Sequence, residues 1–231
     1  MDIEKNVHSV MARVAAAARA AGRAPEEINL VAATKMNDCG RIAQAIGAGI
    51  KICGENRVQE LTEKDAQNAY AGAQKHFIGH LQKNKVNKVV GVCDLIQSVD
   101  SLQLLEAINR RAESLGTVQD LLLEVNIAGE ESKSGLSPAE LPELLKTVQT
   151  LGFVHVRGLM AIPPVSSESG ANRIYFRQMK QLFIDISTKK YDNVSMDFLS
   201  MGMSGDFEDA IAVGSNMVRV GSAIFGVRIY T

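Results

Sequence analysis

Apolar residues recur along this chain in two alternating patterns. Short runs that are apolar at nearly every position alternate with stretches in which apolar residues return every three or four positions. The first kind reads as strands buried on both faces, the second as helices with one face turned inward. Residues 3–21 open the chain as an amphipathic helix, with Val7, Val10, Met11, Val14, Ala18 and Ala21 on one face and Gly22 where a C-terminal cap belongs. Strand-like runs then fall at 30–34, 50–54, 76–79, 95–99, 121–127, 154–162, 195–200 and 217–220. Helical patterns separate them. The clearest are 39–47 with Asp38 as N-cap, 56–70 with Val58, Leu61 and Ala69 inward, and 172–187. A further helix starts at Asp100, with Gln103 at capping-box spacing and Leu102, Leu105, Ile108, Ala112 and Leu115 as its stripe. Ser137-Pro138-Ala139-Glu140 has the same signature with proline at the first helical position. A polar loop at 80–85 opens a short helix, and Gly202-Met203-Ser204-Gly205-Asp206 turns into another.

Eight strand-then-helix units of this kind predict an α/β fold, a single (β/α)8 TIM barrel with an extra N-terminal helix on its floor or flank. No linker or composition break interrupts the 231 residues, so residues 1–231 are expected to form one barrel domain. The apolar fraction of 46% supplies a large core. A net charge of −1 without a basic block argues against nucleic acid or a membrane surface as partner. Cys39, Cys53 and Cys93 are odd in number and make no CxxC pair, which fits a reducing cytoplasm. The start Met-Asp-Ile-Glu-Lys has no apolar signal core, and no run approaches the roughly 20 residues of a membrane helix. A cytoplasmic protein is expected.

Chemistry in a parallel barrel belongs at the carboxyl ends of the strands. Those ends supply Lys35, Asn56, His80, Ser98, Asn126, Met160, Ser200, Ser204, Arg219, Gly221 and Ser222. Lys35 reads either as a charged strand end, solvated or paired with Glu55, or as a Schiff-base amine whose burial exposes the neutral nucleophile. Gly202, Ser204, Gly205, Gly221 and Ser222 follow strands seven and eight, where barrels often bind phosphate. Plain turn chemistry is the other reading of each loop. Arg219 lies between two valines on a buried strand and needs a partner, either a carboxylate such as Asp197 or Glu124, or a ligand. Met160, Met201 and Met203 read as core or pocket wall. His8, His76, His80 and His155 are scattered and form no metal-binding spacing; His76 and His155 read as packed or satisfied histidines. GxSxG, P-loop and GxGxxG motifs are absent. An amine, an anion cradle and an inward arginine on one mouth point to pyridoxal 5′-phosphate (PLP).

The same residues carry a resemblance. The blocks 30–35 (LVAATK), 53–60 (CGENRVQE), 76–85 (HFIGHLQKNK), 98–100, 124–127, 132–135 (SKSG), 158–163 (GLMAIP), 199–204 (LSMGMS) and 218–226 (VRVGSAIFG) run in order through nearly the whole chain. They resemble the pyridoxal phosphate homeostasis proteins, relatives of the barrel domain of alanine racemase. The resemblance implies a monomeric or weakly associating barrel that carries PLP as a Schiff base on Lys35. It puts Asn56 beside the cofactor, Arg219 at the pyridine nitrogen, and Ser204, Gly221 and Ser222 on the phosphate. Met160 and Ser200 become pocket walls. It implies a role in vitamin B6 and amino-acid balance without an established reaction, with PLP-dependent apoenzymes as recipients of the cofactor.

Two departures bear on that role. Asn37 stands where many members carry a second lysine, and the sequence ends Arg228-Ile229-Tyr230-Thr231 where many carry a lysine-rich tail. Lys133 is the alternative amine. A carrier is expected rather than a PLP-dependent racemase, the alternative function. A cationic arginine at the pyridine nitrogen weakens the ring as an electron sink. Related racemases also draw an acid/base group from a second domain, which this sequence, ending after strand eight, is not expected to supply. A Schiff-base aldolase without cofactor is the third reading.

Overall fold

The computed structural model describes residues 2–130, 133–164, 166, 168 and 170–226. Its eight strands are β1 (Asn29–Ala33), β2 (Ile52–Glu55), β3 (Gln74–Phe77), β4 (Leu95–Val99), β5 (Gln119–Glu124), β6 (Val154–Met160), β7 (Val194–Ser200) and β8 (Met217–Val220). All pair in parallel in sequence order, and β8 closes on β1 with Val31 opposite Arg219. The expected (β/α)8 barrel is therefore the observed one. Its outer helices are α2 (Cys39–Gly47), α3 (Val58–Ala66), α4 (Leu102–Ser114), α5 (Leu141–Val148), α6 (Arg173–Ser187), α7 (Phe207–Val213) and α8 (Ser222–Phe225), with a 3-10 turn at Lys83–Lys88 between β3 and β4.

The N-terminal helix α1 (Ile3–Ala20) packs against α2, α7 and α8, so it covers the flank where the barrel closes and not the floor. The Asn6 amide donates to the Ile224 carbonyl at 2.9 Å, which pins α1 to α8. Ile3, Val7, Val10, Val14 and Ala18 form its buried stripe. Met11, expected inward, is 41% exposed because it sits at the margin of that stripe.

Two apolar clusters follow from strand alternation. Ala32, Cys53, Phe77, Ile96, Leu121 and Leu123 face outward and pack under the helices. Val31, Ala33, Ile52, Leu95, Leu122, Met160 and Met217 fill the barrel interior. One step further toward the carboxyl ends, the inward positions turn polar. Leu95 is followed by Gln97, Phe198 by Ser200, and Met217 by Arg219. The barrel thus has an apolar lower layer and a polar upper layer, and that layering positions the site.

Element ends differ from expectation by a few residues. The α4 cap is Ser101, whose hydroxyl accepts from the Leu104 N–H, and not Asp100. Leu115, placed on the α4 stripe, is exposed beyond the helix end. Helix α5 begins at Leu141. Glu140 instead folds its carboxylate back onto the Ser137 N–H and hydroxyl, both at 2.7 Å, which closes a turn before the helix. Helix α3 stops at Ala66, four residues short, because Asn68 takes a left-handed backbone with φ of 54°. Strands β5 and β6 end at Glu124 and Met160, short of the 127 and 162 expected, where the chain leaves the barrel wall.

Candidate functional site

Lys35, Asn56, Met160, Ser200, Ser204, Arg219, Gly221 and Ser222 lie at or just past the carboxyl ends of their strands, whereas Ser98 donates to the Gly79 carbonyl at 2.6 Å and Asn126 ties down the loop after β5. Lys35 lies two residues past β1, half-buried, behind the fully buried Thr34. Asn56 follows β2 directly. Its backbone is pressed against Gly79, where a Cβ would stand 2.1 Å from the Asn56 carbonyl oxygen. Only glycine allows that approach. The Asn56 side-chain oxygen is buried and has no hydrogen-bond partner among the described residues. Met160 ends β6 in the inner apolar layer, fully buried, as a floor for the mouth.

Arg219 is 4% exposed and rigidly held. It donates from Nη1 to the Ser200 hydroxyl at 2.6 Å and from Nη2 to the Ala161 carbonyl at 2.9 Å. Ser200 donates to Gln97 Oε1 at 2.7 Å, and Gln97 Nε2 reaches His76 Nδ1 at 2.9 Å. A buried chain His76–Gln97–Ser200–Arg219 therefore crosses the barrel from β3 to β8. Burial pushes the His76 imidazole down to about 4, so it is neutral at physiological pH and its Nδ1 can accept from the Gln97 amide. Burial also lowers Arg219, to about 10, against the opposing pull of Glu124 and Asp206. The guanidinium remains a cation at neutral pH.

Neither carboxylate expected beside Arg219 forms an ion pair with it. Asp197 is taken by Arg157, which also holds Asp120 at 2.6 Å. Glu124 faces the same mouth, and its carboxyl is pushed up to about 7, first by burial and then by Asp100, against Arg219 and His80. His80 in turn lies 3.1 Å from Asp100 and 3.3 Å from the Ser134 hydroxyl. His155 contacts Ser195 at 3.2 Å and Asp120 at 3.4 Å, so both His76 and His155 are satisfied structural histidines.

The glycine-serine loops after β7 and β8 meet through Ser204. Its hydroxyl accepts from the N–H groups of Gly221 at 3.2 Å and Ala223 at 3.4 Å. Gly221 sits tight on β1, where a Cβ would be 3.3 Å from that of Ala33. Ser222 is exposed at the start of α8. The loop before α7 is more closed than expected. Met203 N–H is bound by Asp206 Oδ1 at 2.7 Å, and Phe207 N–H by the Met203 carbonyl at 2.9 Å, so these amides already have acceptors.

Glu55 is held by Lys64 at 2.8 Å, Thr34 at 2.6 Å and Tyr70 at 3.1 Å, all on one oxygen. Lys133, the alternative amine, pairs with Glu130 at 3.0 Å on the β5–α5 loop. Ser132 and the final residues 227–231 lie outside the described residues. Asn37 bonds Arg41 Nε at 2.9 Å, and Arg41 reaches the Phe225 carbonyl at 2.5 Å, tying the segment after Lys35 to α8.

Gln97, His76, Lys64 and Glu60 were not among the expected site residues. Gln97 was detectable as a polar residue at an inward position of an otherwise apolar strand. Lys64 and Glu60 sit in a helix of charged sequence, where nothing marks them out. A groove of about 560 Å³ beside the mouth is lined by Asn56, Arg57, His80, Lys85 and Lys88, with Glu63 as its acidic member. Among the described residues no group of three or more His, Cys, Asp or Glu can hold a metal ion. No described helix is long and apolar enough to cross a membrane.

Comparison with known proteins places this geometry. The family described as "Alanine racemase, N-terminal domain" matches residues 6–229. The "Pyridoxal phosphate homeostasis protein" of Escherichia coli K12 is 41% identical over 233 residues, covering all of this chain and 98% of the relative. The protein of that name from Aquifex aeolicus is 40% identical over the full length of both. A crystal structure from Bifidobacterium adolescentis superposes with a TM-score of 0.89 at 41% identity, covering 97% of this chain and 94% of that one. The structure of PipY from Synechococcus elongatus with PLP bound superposes at 0.84 and 32% identity, covering 97% and 100%. An alanine racemase from Clostridium difficile shares the fold at TM-score 0.72 and 14% identity, over 98% of this chain and 58% of that one. With the barrel, the polar mouth and the full-length identity in agreement, the chain belongs to the pyridoxal phosphate homeostasis protein family, within the alanine racemase N-terminal domain class of barrels.

Proposed function

We propose that this chain binds PLP at the carboxyl-terminal mouth of the barrel, serves PLP homeostasis, and releases the cofactor without a catalytic cycle of its own. The residues present fit the group. The buried, unpartnered Asn56 oxygen is a polar atom that needs a ligand contact. Arg219 has five N–H donors, of which two are committed to Ser200 and Ala161. Ser204 gathers two loop amides at one hydroxyl, the arrangement a phosphate oxygen can take over. The PLP-bound structure of PipY and the names of the full-length relatives support the same assignment.

In this reading Lys35 would be the residue that holds the group through its amine, as a Schiff base to the aldehyde that bound PLP would supply, with loss of one water. Asn56 would lie beside the cofactor, Met160 and Ser200 would wall the pocket, and Ser204, Gly221 and Ser222 would hold the phosphate. The observation that carries the non-catalytic part is Arg219, a buried cation fixed by Ser200 and Ala161. Placed at the pyridine nitrogen, it disfavours a proton there and so withholds the electron sink that carbanion chemistry uses. Exchange of PLP with apoenzymes in the cytoplasm, as a monomer, and a consequent effect on amino-acid balance complete the proposal.

One observation favours the racemase reading. Glu124 is a buried carboxyl at the mouth, pushed up to about 7 by burial, in the range that suits a general acid or base. The deciding experiment incubates the PLP-loaded protein with each common amino acid and follows loss of optical rotation and of carboxylate. The carrier reading expects rates no faster than free PLP at the same concentration. Turnover well above that level contradicts it. Failure of added PLP to produce a visible absorption band contradicts both PLP readings and leaves the aldolase.

A further inference from the structure

The peptide groups on either side of Lys35 are held by a charged network that comes from α3 and β2. Glu55 is 1% exposed and Lys64 is buried beside it. Lys64 Nζ lies 2.8 Å from Glu55 Oε1, 2.9 Å from Glu60 Oε2 and 3.1 Å from the Thr34 carbonyl oxygen. The ammonium thus donates to three acceptors, the full number it has protons for. Glu60 Oε2 also accepts the Met36 N–H at 2.6 Å. Thr34 is tied a second time, its hydroxyl donating to Glu55 Oε1 at 2.6 Å. The Lys35 carbonyl accepts from the Asn37 side chain at 3.1 Å.

The carbonyl before Lys35, its own carbonyl and the amide after it are therefore all fixed. Met36 has a left-handed backbone, with φ of 60°, and a side chain 56% exposed to solvent. A non-glycine residue holds that conformation only where its surroundings impose it. Here the imposing contact is the Glu60 carboxylate on its N–H. Lys64 and Glu60 are one helical turn apart on α3, so one helix face presents both ends of the clamp. A buried ion pair is a weak source of net stability, because desolvation opposes the attraction. What this one provides is direction: a strand end that cannot swing.

We infer that Lys64 and Glu60 are positioning residues for Lys35, holding its Cα–Cβ bond toward the mouth so that cofactor bound there is retained. This inference rests on the assignment of Lys35 as the PLP-holding amine. The test compares wild type with Lys64→Met, Glu60→Ala and Glu60→Gln, by residue-resolved amide exchange in the apoprotein and by the rate at which bound PLP passes to an excess of an apoenzyme. Thermal midpoints are recorded for each. The expected result is a Met36 amide protected in wild type and unprotected in Lys64→Met and Glu60→Ala. PLP should leave those two variants on the order of tenfold faster. Glu60→Gln, which keeps an acceptor for Met36, should restore most of the retention. Glu60 is partly exposed, so its variants carry the test if Lys64→Met does not fold. PLP release at the wild-type rate from a folded variant that has lost Met36 protection overturns the inference, as does an unprotected Met36 amide in wild type. A visible PLP band that survives Lys35→Ala instead overturns the site assignment, and the positioning role falls with it.

Discussion

Glu124 is a buried carboxyl at the mouth whose protonation changes with folding. Its carboxyl rises from the ordinary 4.5 to about 7 on folding, chiefly through burial. The neutral form is the one the fold prefers. Its contribution to stability is therefore fully present below about pH 4.5 and is lost as pH climbs toward 7. The penalty above pH 7 is roughly 3 kcal/mol by linkage. Glu124→Gln keeps the shape and removes the charge, so it should raise the thermal midpoint by several degrees at pH 8 and little at pH 5. Parallel melting curves for the two proteins across that range would contradict the assignment. Residue by residue, the site was legible where chemistry is carried by type. Lys35, Asn56, Ser200 and Arg219 can be picked out as candidates because a parallel barrel brings strand ends to one mouth, and the blocks that resemble the family then single them out. Gln97 is not legible in this way, because its role is to hold Ser200, which only the inner face of β4 reveals. Lys64 was invisible for a different reason: its acceptors come from β2, α3 and the β1 end, and no local pattern joins them.

Among the elements, strand positions are more legible in the sequence than helix ends. Strands buried on both faces leave continuous apolar runs, so β4 and β8 fall where the runs fall. Helix ends depend on side-chain hydrogen bonds that compete over one or two residues. At α4 the competition was between Asp100 and Ser101, and Asp100 lost because its carboxylate faces His80. The contact between the β2 and β3 ends is the tightest in the mouth. An alanine at Gly79 would bring its Cβ to 2.1 Å from the Asn56 carbonyl oxygen and 2.6 Å from its Cα. Backbone cannot rotate away as a side chain can. Gly79→Ala should therefore cost about 2 kcal/mol or more in denaturant unfolding and push the Asn56 backbone out of place, and with it any contact that Asn56 makes to the proposed cofactor. The measurable sign is weaker PLP retention together with the stability loss. Wild-type retention in Gly79→Ala would show that Asn56 does not contact PLP.

The whole molecule is nearly neutral, yet its charge is unevenly placed. The groove beside Asn56 gathers Arg57, Lys85 and Lys88 against Glu63. A dianionic phosphate ester approaching the mouth meets that local field before it meets the site. Its association rate should fall several-fold between about 0.01 and 0.15 M ionic strength, where the screening length shrinks from roughly 30 to 8 Å. Replacing Arg57, Lys85 and Lys88 by glutamine should slow association and flatten that dependence, with dissociation unchanged, as stopped-flow absorbance can show. A salt dependence identical to wild type would place the approach elsewhere. At this scale the sequence was most informative, since eight alternating units leave little choice but a closed barrel. The polar layer over an apolar one required the register of all eight strands.

The central claim is that one amine, Lys35, holds PLP in this barrel. Borohydride reduction of the PLP-loaded protein, followed by digestion and peptide mapping, tests it most directly. A single pyridoxyl adduct is expected on the peptide carrying Lys35, absent from Lys35→Ala. A principal adduct on Lys133, Lys83 or any other lysine would contradict it.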